Sequence, residues 1–284
     1  MKEIKVTTLS ENTAGPGFLA EWGLSILVEA EGSRILLDTG AGFSAIHNAQ
    51  LLGLDLRMID RIVLSHGHYD HTGGLRAFLR RMGREVQVVA HPDVWAAKYA
   101  RRGQGALEPG EGTRYVGLPF QRAELESLGA RFLLRREPTR LGEHILTSGE
   151  IPLATAYEEI DASLLLRDGE NFVPDPLADD LALILEAEFG LVVILGCAHR
   201  GLINTLDHAR ALTGRERIYA VIGGTHLLRA SPERLDKTIA ALKEMGVAKL
   251  GVSHCTGFYA AARLAAVFED AFFLNNAGTS LSLP

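Results

Sequence analysis

The sequence predicts an α/β protein in which two β-sheets pack together and helices cover their outer faces. Three observations carry the prediction. Short apolar or alternating runs recur in both halves of the 284-residue chain, helical patterns follow several of them, and turn residues close each run. No short repeat or low-complexity tract interrupts this organisation.

The elements follow in order. IKVTTLS (4–10), GLSILVEA (23–30) and RILLDTG (34–40) read as strands, because each is short, apolar or alternating, and closed by polar or glycine residues. RIVLS (61–65) is a further strand. GGLRAFLRRMG (73–83) is helical, since Leu75, Phe78, Leu79 and Met82 share one face. VQVVA (86–90) returns to the strand pattern. Residues 101–143 hold RRGQG, EPGEGT and GLPF and lack sustained periodicity, apart from a short helical stretch near 121–128. This region is expected to be an excursion, a lid or substrate-shaping loop. LALILEAE (181–188) and LVVILG (191–196) form a predicted hairpin at Phe189-Gly190. The strands IYAVIGG (218–224) and KLGVSH (249–254) alternate with helices at 201–214, 232–245 and 256–268, and AFFLNN (271–276) is the last predicted strand. Together they are expected to make one domain over 1–284, with two β-rich halves.

Composition narrows the class. A hydrophobic fraction of 47% and a charged fraction of 23% suit a globular protein with a sizeable core. The net charge of −6 argues against nucleic acid as a partner. Arg76 to Arg140 runs the other way, with thirteen basic residues against seven acidic ones. Such a segment beside a cleft attracts a small anionic substrate, although single arginines there read as a solvated face. No signal peptide or membrane-length apolar run is visible, and the two cysteines, Cys197 and Cys255, each sit beside a histidine and do not suggest a disulfide framework. A cytoplasmic location without membrane contact is expected. A homo-oligomer is compatible with the sequence and not specified by it.

The chemistry gathers at strand ends. RIVLS runs into His66-Gly67-His68-Tyr69-Asp70-His71, LVVILG into Cys197-Ala198-His199, IYAVIGG into Thr225-His226, and KLGVS into His254-Cys255. Six of the ten histidines lie at these ends. Strand C-termini pool their loops in one crevice, which is where ligands bind in sheet-based folds. Within the first motif, i and i+2 side chains project together, so His66 and His68 can pinch one ion. Asp70 and His71 lie one step further and can face a second. Imidazole and carboxylate suit zinc, iron or manganese.

His66-x-His68-x-Asp70-His71 resembles the signature of the metallo-β-lactamase-fold superfamily. EWGLSILVE (21–29), ILLDTG (35–40), IDRIVLSHGHYDHTGGL (59–75), GLVVILGCAHRGLINTL (190–206), IGGTHL (222–227) and GVSHCTG (251–257) are similar to its 7,8-dihydropterin-6-methyl-4-(β-D-ribofuranosyl)-aminobenzene-5'-phosphate synthase-like branch. The similarity runs from near residue 8 to near 278. It implies an αββα four-layer sandwich of two mixed sheets, with two divalent metal ions at its edge, zinc first and iron or manganese as alternatives. It also implies that His66, His68 and His199 form one metal site and Asp70, His71 and His254 the other. Asp70 and His226 are the implied catalytic residues, the first holding the nucleophile and the second acting on the leaving group. The alternative for His226 is a core or supporting histidine.

Two positions depart from the commoner pattern. Cys197 stands where glyoxalase II-like members place a bridging aspartate, and is read as a small residue shaping its turn in preference to a thiolate ligand. Glu150 stands where many relatives have a ligand histidine, which makes it a candidate ligand or supporting carboxylate. Asp38 is expected to orient a metal-binding histidine. Asp179 and Asp180 either do the same or form a solvated turn. Ser253 and Thr256, with Gly223 and Gly224, are weaker candidates for holding a phosphate.

The leading functional expectation is a metal-dependent hydrolase acting on a small, anionic, phosphorylated molecule through a water activated by two metals. A pterin-related condensation is the alternative that the branch implies. Di-iron redox chemistry, as in flavin-linked relatives, is disfavoured because the chain has no length for a flavin domain. From another class, a metal-containing binding or effector protein without turnover remains the rival.

Overall fold

A computed structural model describes residues 1, 3–101 and 112–284. Two seven-stranded sheets lie at its centre. The first has the order Ser280–Leu283, Ile4–Ser10, Ser25–Ala30, Ser33–Leu37, Arg61–Val63, Val86–Ala90 and Ala130–Leu134. The second runs Phe272–Leu274, Lys249–Ser253, Ile218–Gly224, Gly190–Leu195, Ala182–Ala187, Ile145–Thr147 and Thr139–Arg140.

Alternation along the strands explains the layering. Ile26 and Val28, Ile35 and Leu37, Leu183 and Leu185, and Val192 and Ile194 all enter one buried cluster between the sheets. Leu27 and Leu36 face outward, beneath the helices Ser44–Leu51 and Leu75–Met82. On the other side, Ile184 and Val193 pack under Leu202–Thr213, Pro232–Glu244 and Phe258–Phe268. Each sheet is therefore apolar on both faces, which gives the expected αββα sandwich of mixed sheets.

The last expected strand does not end the architecture. Phe272–Leu274 forms the edge of the second sheet, after which the chain crosses to pair Ser280–Leu283 antiparallel with Ile4–Ser10. The excursion expected at 101–143 contains regular elements. Arg122–Ser127 and Ala130–Leu134 belong to the sandwich, the latter pairing parallel with Val86–Ala90. Residues 102–111 of that stretch lie outside the described residues. Lys98–Arg101 and Thr113–Tyr115 join a third sheet, with order Asn171–Pro174, Leu164–Asp168, Lys98–Arg101 and Thr113–Tyr115. Sequence reading missed this small sheet because its strands are short and only partly buried. Among the described residues no helix is long and apolar enough to cross a membrane.

Parallel pairing positions the site. Ser33–Leu37, Arg61–Val63 and Val86–Ala90 run in parallel, as do Gly190–Leu195, Ile218–Gly224 and Lys249–Ser253, so both sheets empty their loops onto one edge of the sandwich.

Candidate metal centre

The backbone at that edge is unusually shaped. Asp38, Ala198, His226 and His254 follow strand ends with φ between 49° and 57°, a region that non-glycine residues rarely occupy. Such geometry persists only where the surroundings enforce it, and it concentrates at functional sites. The glycines after the first motif serve space and not flexibility. A Cβ on Gly73 would lie 2.1 Å from the Ala41 carbonyl oxygen, and one on Gly74 2.0 Å from that of Thr39. The helix carrying Asp70 and His71 can press against the loop carrying Asp38 because both positions are bare.

The side chains then converge in two groups. His66 Nε2 lies 2.9 Å from His68 Nδ1 and 3.2 Å from His199 Nε2. His71 Nε2 lies 3.2 Å from His254 Nε2, which in turn is 3.3 Å from Asp70 Oδ2. Nitrogens bound to one tetrahedral ion at about 2.0–2.1 Å stand roughly 3.3 Å apart. These spacings and the donor chemistry fit divalent transition-metal binding, and the donor atoms of His66 and His199, and those of His71 and His254, also lie close to Cys197 Sγ. His68 Nε2 and His199 Nδ1, on the outer sides of their rings, are buried without a hydrogen-bond partner among the described residues.

Neighbours fix these donors. Asp38 is fully buried, and its Oδ2 stands 2.7 Å from His71 Nδ1, as expected of an orienting carboxylate. The same oxygen accepts from Ser65 Oγ at 2.6 Å, and that hydroxyl lies 2.9 Å from His66 Nδ1. Trp22 Nε1 donates to Asp70 Oδ2 at 3.0 Å, and Asn12 Oδ1 faces His254 Nδ1 at 2.9 Å. Asp179 and Asp180 are buried, not a solvated turn. Asp179 Oδ2 accepts the Gly67 N–H at 2.7 Å, and Asp180 Oδ2 accepts that of Arg200 at 2.9 Å. Asp179 is held in turn by Lys98, whose Nζ also reaches Asp175, at 2.8 and 2.9 Å.

Electrostatics differ between the groups. Burial, then the neighbouring histidines and Lys98, keeps the His66 and His199 rings neutral and brings His68 to about 3. Their lone pairs are free at neutral pH. For His71, burial works the other way from its carboxylate neighbours, and Asp38 and Asp70 win, raising it to about 9. Asp70 resists burial in the same manner, because His71 and His254 hold it well below the carboxylate range. Burial pushes Asp180 up to about 7 and the Cys197 thiol higher still.

His68, Asp70, His199 and His254 line a cavity of about 420 Å³ together with His226, with Trp22, Val116, Leu164 and Leu228 as apolar wall; His66 and His71 lie behind them, fully buried. Arg101, Arg114 and Arg229 stand around it. Arg229 lies 3.7 Å from Asp161 and Arg114 stacks over the Tyr69 ring, while farther along the basic stretch Arg76 pairs with Glu124, Arg122 with Glu126, and Arg136 with Asp93 and Glu150. His226 reaches the cavity with its ring 4.1 Å from that of His199, and its Nδ1 has no partner among the described residues.

One expectation needs correction. Glu150 is 42% exposed and occupied by His91 and Arg136, at 2.9 and 2.7 Å, so it is neither ligand nor support. Of the residues named for holding a phosphate, Ser253 keeps its buried Oγ without a hydrogen-bond partner among the described residues, while Thr256 and Gly224 are engaged. Thr256 Oγ1 donates to the Ser253 carbonyl and accepts from Thr225, while the Gly224 N–H is taken by Gly196. Cys197 Sγ lies 3.1 Å from His71 Nε2. Asn12, Trp22 and Lys98 carried no sequence signal. The first two sit in a polar loop without histidines, and a buried lysine reads in sequence like an exposed one.

Comparisons with known proteins agree with this fold. The model of the metallo-beta-lactamase superfamily matches residues 23–214. A 7,8-dihydropterin-6-methyl-4-(beta-D-ribofuranosyl)-aminobenzene-5'-phosphate synthase from Methanocaldococcus jannaschii is 35% identical over 97% of this chain and 95% of its own. The crystal structure of a metal-dependent hydrolase of the beta-lactamase superfamily superposes with a TM-score of 0.82 at 28% identity, over 98% of both chains. A diphosphatase of the PhnP family, at 15% identity, shares the fold with a TM-score of 0.56 over 99% of this chain and 97% of its own. The chain belongs to the metallo-β-lactamase superfamily.

Proposed function

We propose that the protein is a metal-dependent hydrolase of small, anionic, phosphorylated molecules. One observation carries this reading: two groups of metal donors meet at a single cavity, which His68 and His199 line from one group and Asp70 and His254 from the other, with Arg101, Arg114 and Arg229 around it. His66, His68 and His199 would hold one divalent ion and Asp70, His71 and His254 a second, with zinc, iron and manganese all compatible with the donors. Bound there, such ions supply Lewis acidity and acidify water.

The chain supplies the rest. Asp70, pinned by Trp22 and His254, keeps an ionised carboxylate on the cavity floor to orient the attacking water. His226 faces the cavity with a ring nitrogen free of protein partners. Burial opposes its protonation, but Cys255 and Asp161 raise its pKa, which suits a donor of a proton to the leaving oxygen. The three arginines match the charge of a phosphate group.

The archaeal relative supports a second reading, a pterin-related condensation in the same cavity. Products separate the two. Metal-loaded protein is offered a panel of phosphomonoesters and phosphodiesters in heavy-oxygen water, with and without a pterin. Hydrolysis places the heavy oxygen in a product, whereas condensation yields a species containing both partners. His68→Ala should bring either turnover to background. Tight binding of a phosphorylated ligand with no turnover by metal-replete protein would overturn the hydrolase reading in favour of a binding or effector role.

A further inference from the structure

We propose that the Cys197 thiolate is a donor shared by the two metal groups, so that sulfur bridges the centre. The inference rests on the two-metal reading above and adds a seventh donor to it. Cys197 Sγ lies within 4.8 Å of the donor atoms of His66 and His199 on one side, and within the same distance of those of His71 and His254 on the other. Among the described residues no other side chain belongs to both sets. The sulfur stands 3.1 Å from His71 Nε2, which is the inward nitrogen because Asp38 holds Nδ1.

The local backbone is shaped to bring this residue in. A Cβ on Gly196 would fall 2.1 Å from Ser65 Oγ, so a bare backbone there lets the strand end approach the first motif. One on Gly224 would meet Cys197 Cα at 3.3 Å and Cys255 Sγ at 2.8 Å. Ala198, at φ 53°, then turns the chain so that Cys197 and His199 both face the donors.

Cys255 is the internal control. It is as buried as Cys197, and both line the cavity. Its sulfur, however, accepts the His226 N–H at 3.2 Å, and it groups only with Cys197 and His226. Two thiols thus share one environment, and only one of them reaches both donor groups. Coordination forms a sulfur–metal bond as the thiol S–H releases its proton to solvent. A sulfur donor also biases the centre toward zinc, cobalt and ferrous iron over magnesium and manganese.

Cobalt tests the assignment without any substrate. Full-length protein is stripped with a chelator and reloaded with Co(II). The expected result is an intense near-ultraviolet thiolate-to-cobalt absorption that Cys197→Ser removes and Cys255→Ser retains. Cys197→Asp, which keeps a shared oxygen donor, should bind two cobalt ions without that band. In the unaltered protein, at an alkaline pH where the buried thiol ionises, metal should slow alkylation of Cys197 by iodoacetamide by about tenfold or more, because only the uncoordinated thiolate is a nucleophile. This last measurement does not depend on a variant folding. Two bound cobalt ions with no such band, or a band that survives Cys197→Ser, would overturn the bridge and leave the two-metal reading standing. Failure to bind cobalt at all overturns both.

Discussion

The two donor groups at the sandwich edge are held by different means. In the group of Asp70, His71 and His254, every member is gripped by another side chain: Trp22 on Asp70, Asp38 on His71, and Asn12 on His254. In the group of His66, His68 and His199, among the described residues only His66 has such a partner outside the group, through Ser65. Order there comes from the loops, with Asp179 clamping the Gly67 backbone and Asp180 that of Arg200. Leu181 completes the clamp by donating its N–H to the Ser65 carbonyl. One group is oriented ring by ring and the other by fixing the chain segments that carry the rings. They should therefore fail differently when perturbed.

The largest effect after loss of a ligand is expected at Lys98. It is 1% exposed and is paired with two carboxylates that are themselves buried. Lys98→Met would strand Asp175 and Asp179 without a cation, and breaking a buried pair in this way costs about 3–5 kcal/mol. For a protein of this size that corresponds to a melting temperature lower by on the order of 10 °C. The loosened Gly67 turn should also weaken the ion held by His66, His68 and His199 more than the other. A melting curve and a two-site metal titration check both points. Unchanged melting would mean that Lys98 anchors nothing.

The contrast also explains what sequence could reveal. His66, His68, Asp70 and His71 lie within one turn, so local backbone geometry nearly forces them together, and the motif is readable without a fold. His199, His226 and His254 come from separate strands, yet the parallel sheet carries each to the same edge, so strand-end reading located them too. The supporting shell was mostly invisible. Asn12 and Trp22 reach their partners across 242 and 48 positions of sequence, and no period or spacing records such contacts. Asp38 was the exception, since it ends an apolar strand at the same edge. The small sheet escaped because partly buried strands of three to five residues carry little hydrophobic pattern. It nevertheless supplies Arg101 and Arg114 to the cavity.

An intermediate effect is expected at Asp38, a carboxylate that supports members of both groups from behind. Its oxygens meet His71 Nδ1, the Ser65 N–H and the Ser65 hydroxyl. Asn tolerates the positive φ of 57° at this position, so Asp38→Asn removes charge while keeping the backbone. Loss of a carboxylate behind a metal-binding histidine typically lowers affinity about 10–100-fold. Competition against a chelator of known strength would measure it. The larger loss should fall on the ion held through His71, which Asp38 touches directly, and the smaller on the ion held through His66, which it reaches by way of Ser65. Equal losses would show that Asp38 acts on the edge as a whole.

The smallest effect, and the sharpest test of ring-by-ring orientation, is expected at Trp22. Its indole N–H donates to Asp70 Oδ2 at 3.0 Å, the oxygen that also faces His254, and its ring lies 5.2 Å from that of His254. The side chain is 42% exposed, so Trp22→Phe keeps most of the packing and deletes the donor. One hydrogen bond to a charged group contributes about 1.5–3 kcal/mol, and partial exposure reduces that here to roughly tenfold in affinity or less. The loss should appear in the Asp70, His71 and His254 ion alone, because Trp22 touches no member of the other group. Melting temperature should hardly move. A Trp22→Phe protein that binds both ions normally would show that Asp70 is positioned by the helix start that carries it, and the contrast between the two groups would then rest on Asp38 and Asn12.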